Sequence, residues 1–295
     1  MIKKCGELDC VVTERNVSFE QVSKNVFICD YPAAALGEGL FFCNSTRAIC
    51  WFDILGNSIF ILRSTHLTQI ELPFAASCGA ECSDGRAIIA STAGLFKCDI
   101  NSLTFSSVPA NGFPALSAMR TNDGRSDHFG SFWFSTMSIR ASEPTGQIFR
   151  FQNSHLSLIH SGLYIPNSIC FPSDRKKVVF SDTGTRKLYS YDLNDDGFPV
   201  GNCRVERDFS LDEINPDGAI CDASGSYFIA MWGAGNVTEF DANFAEIRAF
   251  SFPCLFLTCP GIADWQPNRL WVTSASNDEP NPYAGRLMYH LLEAE

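Results

Sequence analysis

Along the chain, apolar residues come in short runs, alternating or continuous, rich in Phe, Ile, Val, Trp and Tyr and separated by Gly, Asn, Asp and Pro. The 3.6-residue recurrence of an amphipathic helix is scarce. Short β-rich runs bounded by turn residues predict strands, so the chain reads as all-β. The runs also repeat: "RAICWFDILGNSIFIL", "RAIIASTAGLFKCDIN", "GSFWFSTM…GQIFRFQN", "KVVFSDTGTRKLYSYDLN", "SYFIAMWGAGNVTEFDAN" and "RLWVTSAS…AGRLMYHLL". Each reads as strand, turn, strand. The units begin near residues 47, 86, 131, 177, 226 and 269, a spacing of roughly 40–50 residues that matches a propeller blade. Six copies predict a six-bladed β-propeller, each blade a four-stranded antiparallel sheet around a central channel. The expected organisation is one domain over residues 1–295, with residues 1–30 as an N-terminal lead-in and closing strand.

In such a blade the innermost strand lines the channel, so the segments leading into the six units are expected to cluster at one of its mouths. They read "ALGEGLFF", "AASCGAECSDG", "AMRTNDGRSDHFG", "IPNSICFPSD", "INPDGAICDASG" and "TCPGIADWQPN". This brings Glu38, Asn122, Asn167 and Asp217 near one axis, with Arg120 beside Asn122. Taken locally, "NPDG" is turn chemistry: Pro presets φ, Asp bonds its own backbone and Gly accepts positive φ. Two carboxylates and two amides converging on one funnel ask for more than a turn, because the carboxylates repel unless a cation lies between them. Glu38, Asn167 and Asp217 offer only oxygen, which suits a hard divalent ion, Ca²⁺ first, with Zn²⁺ or Mn²⁺ as substitutes.

Composition narrows the partners. The chain is 45% hydrophobic and 13% aromatic, enough to build a core, and its net charge is −11. No Lys/Arg cluster stands against that charge, so no nucleic-acid partner is expected. "MIKK" leads into "CGELDCVVTERN" without an apolar h-region, and no apolar run reaches membrane-spanning length, so a cytoplasmic protein without a membrane partner is expected. A closed propeller of this kind is expected to be a monomer or a weak homo-oligomer. The thirteen cysteines lie mostly in apolar strand-like runs and read as reduced, small hydrophobes. Serine chemistry has no G-x-S-x-G elbow to support it, and His128 in "RSDHFG" reads as a solvated turn residue.

Taken together and in order, "GEGLFF" with "CWFDI", "RTNDGRSDHFGSFWFSTM", "EPTGQIFRF", "IPNSICFPSDRKKVVFSDTGTRKLYSYDLNDDG" and "NPDGAICDASGSYFIAMWGAGNVTEFD" resemble the SMP-30/gluconolactonase/LRE family. Its members are six-bladed propellers that hydrolyse sugar lactones with one divalent metal ion. The resemblance runs from about residue 30 over nearly the whole chain. It implies Glu38, Asn167 and Asp217 as metal ligands and Arg120 and Asn122 as substrate-binding groups. It also places Glu143 of "SEPTG" at the substrate's border, and Asp182 of "FSDTGTR" behind the ligands or as a turn cap. Departures are Leu40 and Phe42 after "GEG", Ser168 where the family has glycine, and the sixth segment "TCPGIADWQPN". The implied reaction is hydrolysis of an aldono-lactone to its aldonic acid, the ion polarising the carbonyl and Asp217 activating water, with a hydroxide on the ion as the rival to Asp217. Another ester or organophosphate hydrolase, or a calcium-binding propeller without an enzymatic role, would use the same residues differently.

Overall fold

The structure is a computed structural model that describes residues 2–31, 33–276 and 280–292. The stretch "SNDEPNPYAG", whose composition reads as a variable surface loop over the channel mouth, lies in part outside the described residues, at 277–279. Six antiparallel sheets form the six blades of a β-propeller. Four have four strands each; the first blade adds Ile2–Cys5 and Leu8–Asn16 to its outer edge, and the last adds Phe19–Gln21. The helical element among the described residues is one 3-10 turn, Ser210–Asp212.

The innermost strands are Gly37–Cys43, Ala76–Glu81, Met119–Ser126, Pro166–Cys170, Asn215–Cys221 and Leu257–Ala263. Each touches the next around the axis, and the last touches the first. The ring is closed within the sixth blade, where Val26–Cys29 pairs with Met288–Leu291 through Phe27 opposite Tyr289. Ring closure leaves no long free edge at the core, which is how so many strands avoid edge-to-edge association.

Between neighbouring blades lie six apolar clusters, one at each junction. The alternation of strand residues supplies one face to each neighbour, so blades such as the third are apolar on both sides. Trp133 packs toward the fourth blade, whereas Phe134, next in sequence, packs toward the second. Full burial of such side chains contributes about 1.5–3 kcal/mol each. Cysteine serves here as a small hydrophobe: ten of the thirteen are buried.

The segments expected to lead into the innermost strands are the innermost strands. "NPDG" is accordingly not a turn: Asn215–Cys221 is extended and pairs with Tyr227–Trp232. Its turn-type residues serve other ends. Pro216 lies on the blade's inner edge, where a strand can spare an N–H donor. Gly218 has no positive φ; a Cβ there would come within 2.8 Å of Thr258 O on the next inner strand. Close approach at the axis requires this glycine.

Candidate active site at one mouth of the channel

All six inner strands slip register near the same end. The pairing skips from Glu38 to Phe41, Thr121 to Gly124, Asn167 to Cys170, Pro216 to Ala219 and Leu257 to Pro260, and Ser77 falls between Ala76 and Cys78. A bulge leaves residues unpaired and re-aims their side chains. The first unpaired residues are Gly39, Ser77, Asn122, Ser168, Asp217 and Thr258.

Four of these reach to the following blade. Ser77 Oγ donates to Thr121 Oγ1 (2.8 Å), Asn122 Nδ2 to Asn167 Oδ1 (2.6 Å) and Pro166 O (3.1 Å), and Thr258 Oγ1 to Gly37 O (2.5 Å). Ser168 Oγ donates to Asp217 O. Gly39 has no side chain to offer. Asp217 is the acceptor-only member of the ring, and its Oδ1 is buried with no hydrogen-bond partner.

Glu38 stands one residue before its bulge, buried, with Oε2 accepting from Gly39 N at 3.1 Å. Burial pushes its carboxyl up to about 8, with Asp123 adding to the rise and Gly39 N and Arg120 opposing it. Asp217, 4% exposed, is pushed well above the usual carboxylate range by burial first, then by Glu38 and Asp123. The Arg120 guanidinium is held below its ordinary value by burial, with both carboxylates pulling it back up. Arg120 is thus the nearby cation for two acids, yet among the described residues it forms no ion pair with either. Its Nη1 donates instead to Asn122 Oδ1 (2.6 Å) and Thr121 O (3.0 Å).

A directed chain follows from that contact. Arg120 fixes the Asn122 amide, Asn122 donates to Asn167 Oδ1, Asn167 Nδ2 donates to Thr183 Oγ1 (2.9 Å), and Thr183 Oγ1 donates to Pro216 O (2.6 Å). Both N–H groups of Asn122 are used, and its Oδ1 accepts from Arg120 alone, which leaves one lone pair free. Asn167 Oδ1 likewise keeps one lone pair.

The structure thus brings Glu38, Arg120, Asn122, Asn167 and Asp217 to one mouth. Glu143 is exposed in the loop after Phe132–Ser138, which leaves the sheet at the end where Arg120 pairs with Met137. No hydrogen bond joins its side chain to the other five. Asp182 caps the backbone: its carboxylate accepts from Tyr164 N (3.2 Å), Ile165 N (2.9 Å) and Gly184 N (3.1 Å). Asp53 does the same for Ala35 N, Leu36 N and Gly56 N in the first blade, each at 3.0 Å. Both aspartates pin the chain just before an inner strand, Gly37–Cys43 or Pro166–Cys170. His128 is exposed as expected, with Nε2 against Pro172 O at 3.0 Å.

Three contributors escape the sequence reading. Asp123 is a buried third carboxylate, holding Ile169 N at 2.7 Å, raised by burial and lowered by Arg125. Thr183 and Ser168 bind the strands that carry Asn167 and Asp217. Asp123 hides inside "NDG", which reads as a turn; Ser168 stands out in the sequence only as a replacement for glycine, without a role, and Thr183 carries no signal in isolation.

A cavity of about 1090 Å³ opens at the opposite mouth, between Arg125, His128, Phe171, Asp222, Glu239 and Arg248. Four of its charged side chains are already engaged, while Asp264 on its rim is exposed. Arg248 Nε pairs with Glu239 at 2.6 Å, Asp222 caps Ser224 and Ser226, and Arg125 Nε donates to Ile169 O at 3.2 Å. The large cavity and the buried Glu38–Asp217 carboxylates lie at different ends.

The donor set at the first mouth is two carboxylates joined by amides; among the described residues no three His, Cys, Asp or Glu side chains converge closely enough to hold a metal ion by themselves. Two buried, mutually repelling carboxylates, one with an unpartnered oxygen, beside a free amide lone pair fit a hard cation completed by water or substrate. A family model described as the SMP-30/Gluconolactonase/LRE-like region matches residues 36–276. The chain belongs to this family. Glu38, Arg120, Asn122, Asn167 and Asp217 all fall within the matched span. Family relatives include a putative sugar lactone lactonase of Rhizobium meliloti (strain 1021), 32% identical over 82% of this chain and 83% of its own. An L-arabinolactonase of Azospirillum brasilense is 30% identical over 85% of this chain and 86% of its own. Among solved structures, a calcium-binding regucalcin from Agrobacterium tumefaciens str. C58 superposes with a TM-score of 0.83 at 32% identity, covering 88% of this chain and 91% of that one. Among the described residues no helix is long and apolar enough to cross a membrane.

Proposed function

We propose that this chain is a lactone-hydrolysing enzyme that opens a sugar lactone to its aldonic acid at the Glu38–Asp217 mouth, with one divalent ion, Ca²⁺ foremost. The carrying observation is the buried, unpartnered Oδ1 of Asp217 beside a second buried carboxylate, in a ring whose other side chains are satisfied. The names of its relatives, sugar lactone lactonase and L-arabinolactonase, support the substrate class, and the calcium-binding relative supports the ion.

Glu38, Asn167 and Asp217 would hold the ion, which would keep both carboxylates ionised, polarise the lactone carbonyl and stabilise the developing oxyanion. Arg120 has guanidinium N–H groups beyond those bound to Asn122 and Thr121, and these orient the sugar's hydroxyls or ring oxygen. Asn122 keeps Asn167 aimed and offers its remaining lone pair to a hydroxyl. Asp217 takes a proton from water as the water oxygen attacks the carbonyl carbon. The ring C–O bond then breaks, and the same proton passes to the departing ring oxygen, giving the hydroxy acid. Glu143, in the exposed loop after Phe132–Ser138, contributes to substrate choice.

The test is proton release from a panel of aldono-lactones above their spontaneous rate, using metal-stripped protein with Ca²⁺, Zn²⁺ or Mn²⁺ restored. Turnover that requires the ion supports the assignment. No turnover of any lactone with any of the three ions would sink it, leaving aryl esters or a purely structural ion to examine.

A further inference from the structure

Ser168 is a serine in a glycine's place. It is the first unpaired residue of its bulge, in the same register position as Gly39 in the first blade, and both are left-handed, with φ of 56° and 59°. L side chains rarely adopt that conformation, and a buried serine there needs a reason. At Gly39 a Cβ would lie 2.0 Å from Ser77 O on the following inner strand. At the junction of the fourth and fifth blades the matching carbonyl is Asp217 O, and there the gap admits a whole hydroxymethyl group. Its hydroxyl fills the gap and donates to that carbonyl.

The hydroxyl is aimed from behind. Ser181 Oγ, on the neighbouring strand Lys177–Asp182, has Ser168 Oγ at 2.9 Å and Pro216 O at 3.5 Å; donating to the nearer acceptor, it leaves the Ser168 proton for Asp217 O. One residue earlier, Thr183 Oγ1 bridges from Asn167 Nδ2 to Pro216 O. Two side-chain bridges therefore span the same pair of strands at the two residues that would hold the ion.

We propose that Ser168 is a positioning residue, a strut that sets the spacing between the Asn167 amide and the Asp217 carboxylate and thereby the ion affinity of the site. This rests on the metal-binding reading above. A serine kept only for packing would be replaced by glycine without loss, since glycine relieves the backbone. A strut would not.

The test is calorimetric titration of metal-stripped wild type, Ser168→Gly, Ser168→Ala and Ser181→Ala with CaCl₂, and with ZnCl₂ and MnCl₂ in parallel, folding being checked by circular dichroism. Groups that orient metal ligands typically contribute about 10–100-fold in affinity, so both Ser168 variants should bind at least about 10-fold more weakly. Ser181→Ala leaves the strained φ untouched and should weaken binding less, by about 3-fold on the same scale; it carries the test alone if the Ser168 variants do not fold. Wild-type affinity in Ser168→Gly, or in Ser181→Ala where only that variant folds, overturns the strut while sparing the ion site. Wild type that binds none of the three ions overturns both.

Discussion

Two buried aspartates, one at each mouth of the channel, have opposite surroundings. Asp127, just past the end of its inner strand, accepts from Phe129 N, Ser131 N and Trp133 Nε1, each at 2.8 Å, and from Arg150 Nε at 3.3 Å. Every lone pair that burial takes from water is repaid by a donor. Asp217, in the bulge of its own inner strand, leaves Oδ1 with none. Burying a carboxylate is costly unless it is paired or holds a metal, so the first arrangement holds the fold together and the second needs something from outside. The large cavity lies at the mouth of the satisfied Asp127, and the buried carboxylate oxygen without a partner lies at the other. Of the buried side-chain atoms left without a partner among the described residues, Asp217 Oδ1 is the one that belongs to a carboxylate, and the proposed site is built on that unmet demand and not on empty volume.

Swapping the two acids for amides should separate the roles. Asp217→Asn should lower kcat/KM for the best lactone by about 10²–10⁴-fold, the range for losing a positioned acid–base group, while the metal-free melting temperature stays level or rises. Asp127→Asn should do the reverse: it leaves Arg150 buried without its carboxylate and should cost about 3 kcal/mol in denaturant unfolding, with kcat/KM of the folded fraction near wild type. Loss of activity in both, or of stability in both, would break the contrast.

Arg120→Lys comes next. It keeps the charge and loses the fork that holds Asn122 while facing the substrate, so KM should rise about 10-fold, on the scale of about 1.4 kcal/mol for each decade, with a smaller change in kcat.

The pH dependence of the metal-stripped protein sharpens the electrostatic side. Glu38 moves from an ordinary 4.5 up to about 8, and Asp217 is raised as well. Between those values the folded chain holds more protons than the unfolded chain, so stability falls as pH rises through that window. The melting temperature of stripped protein should therefore drop from pH 5 to pH 8, and saturating Ca²⁺ should flatten the profile. A profile that rises over this range would contradict the raised carboxyls.

The smallest effect belongs to the far mouth. Arg248→Ala removes a partly exposed partner of Glu239 and should change stability by no more than about 1 kcal/mol, with lactone turnover within about twofold of wild type on the tenfold-per-1.4 kcal/mol scale.

How much of this was readable beforehand depended on what repeats. The blade period is written six times, and it put Glu38, Arg120, Asn122, Asn167 and Asp217 at one mouth because each precedes the same strand of its unit. The bulges were not readable. "NPDG" and "TNDG" carry turn residues, but Pro216 is there for an edge and Gly218 for a close approach, uses that composition does not distinguish from a turn. Asp123 was lost for the same reason. Asp182 shows the limit of a single residue: its capping role is clear only beside Asp53, which does the same work in another blade. The strands Ile2–Cys5 and Leu8–Asn16 extend the first blade outside the repeat, so periodicity gave no sign of them.

The most direct test of the unmet demand at Asp217 is ion-binding calorimetry on metal-stripped protein at pH 7, run in two buffers that differ in ionisation enthalpy. Raised carboxyls must give up protons when a cation binds them. The account predicts one divalent ion bound per chain, proton release seen as a buffer-dependent heat, and both lost in Asp217→Asn. Absence of binding, or binding without proton release that survives Asp217→Asn, would place the ion elsewhere and leave Asp217 without the role argued for it.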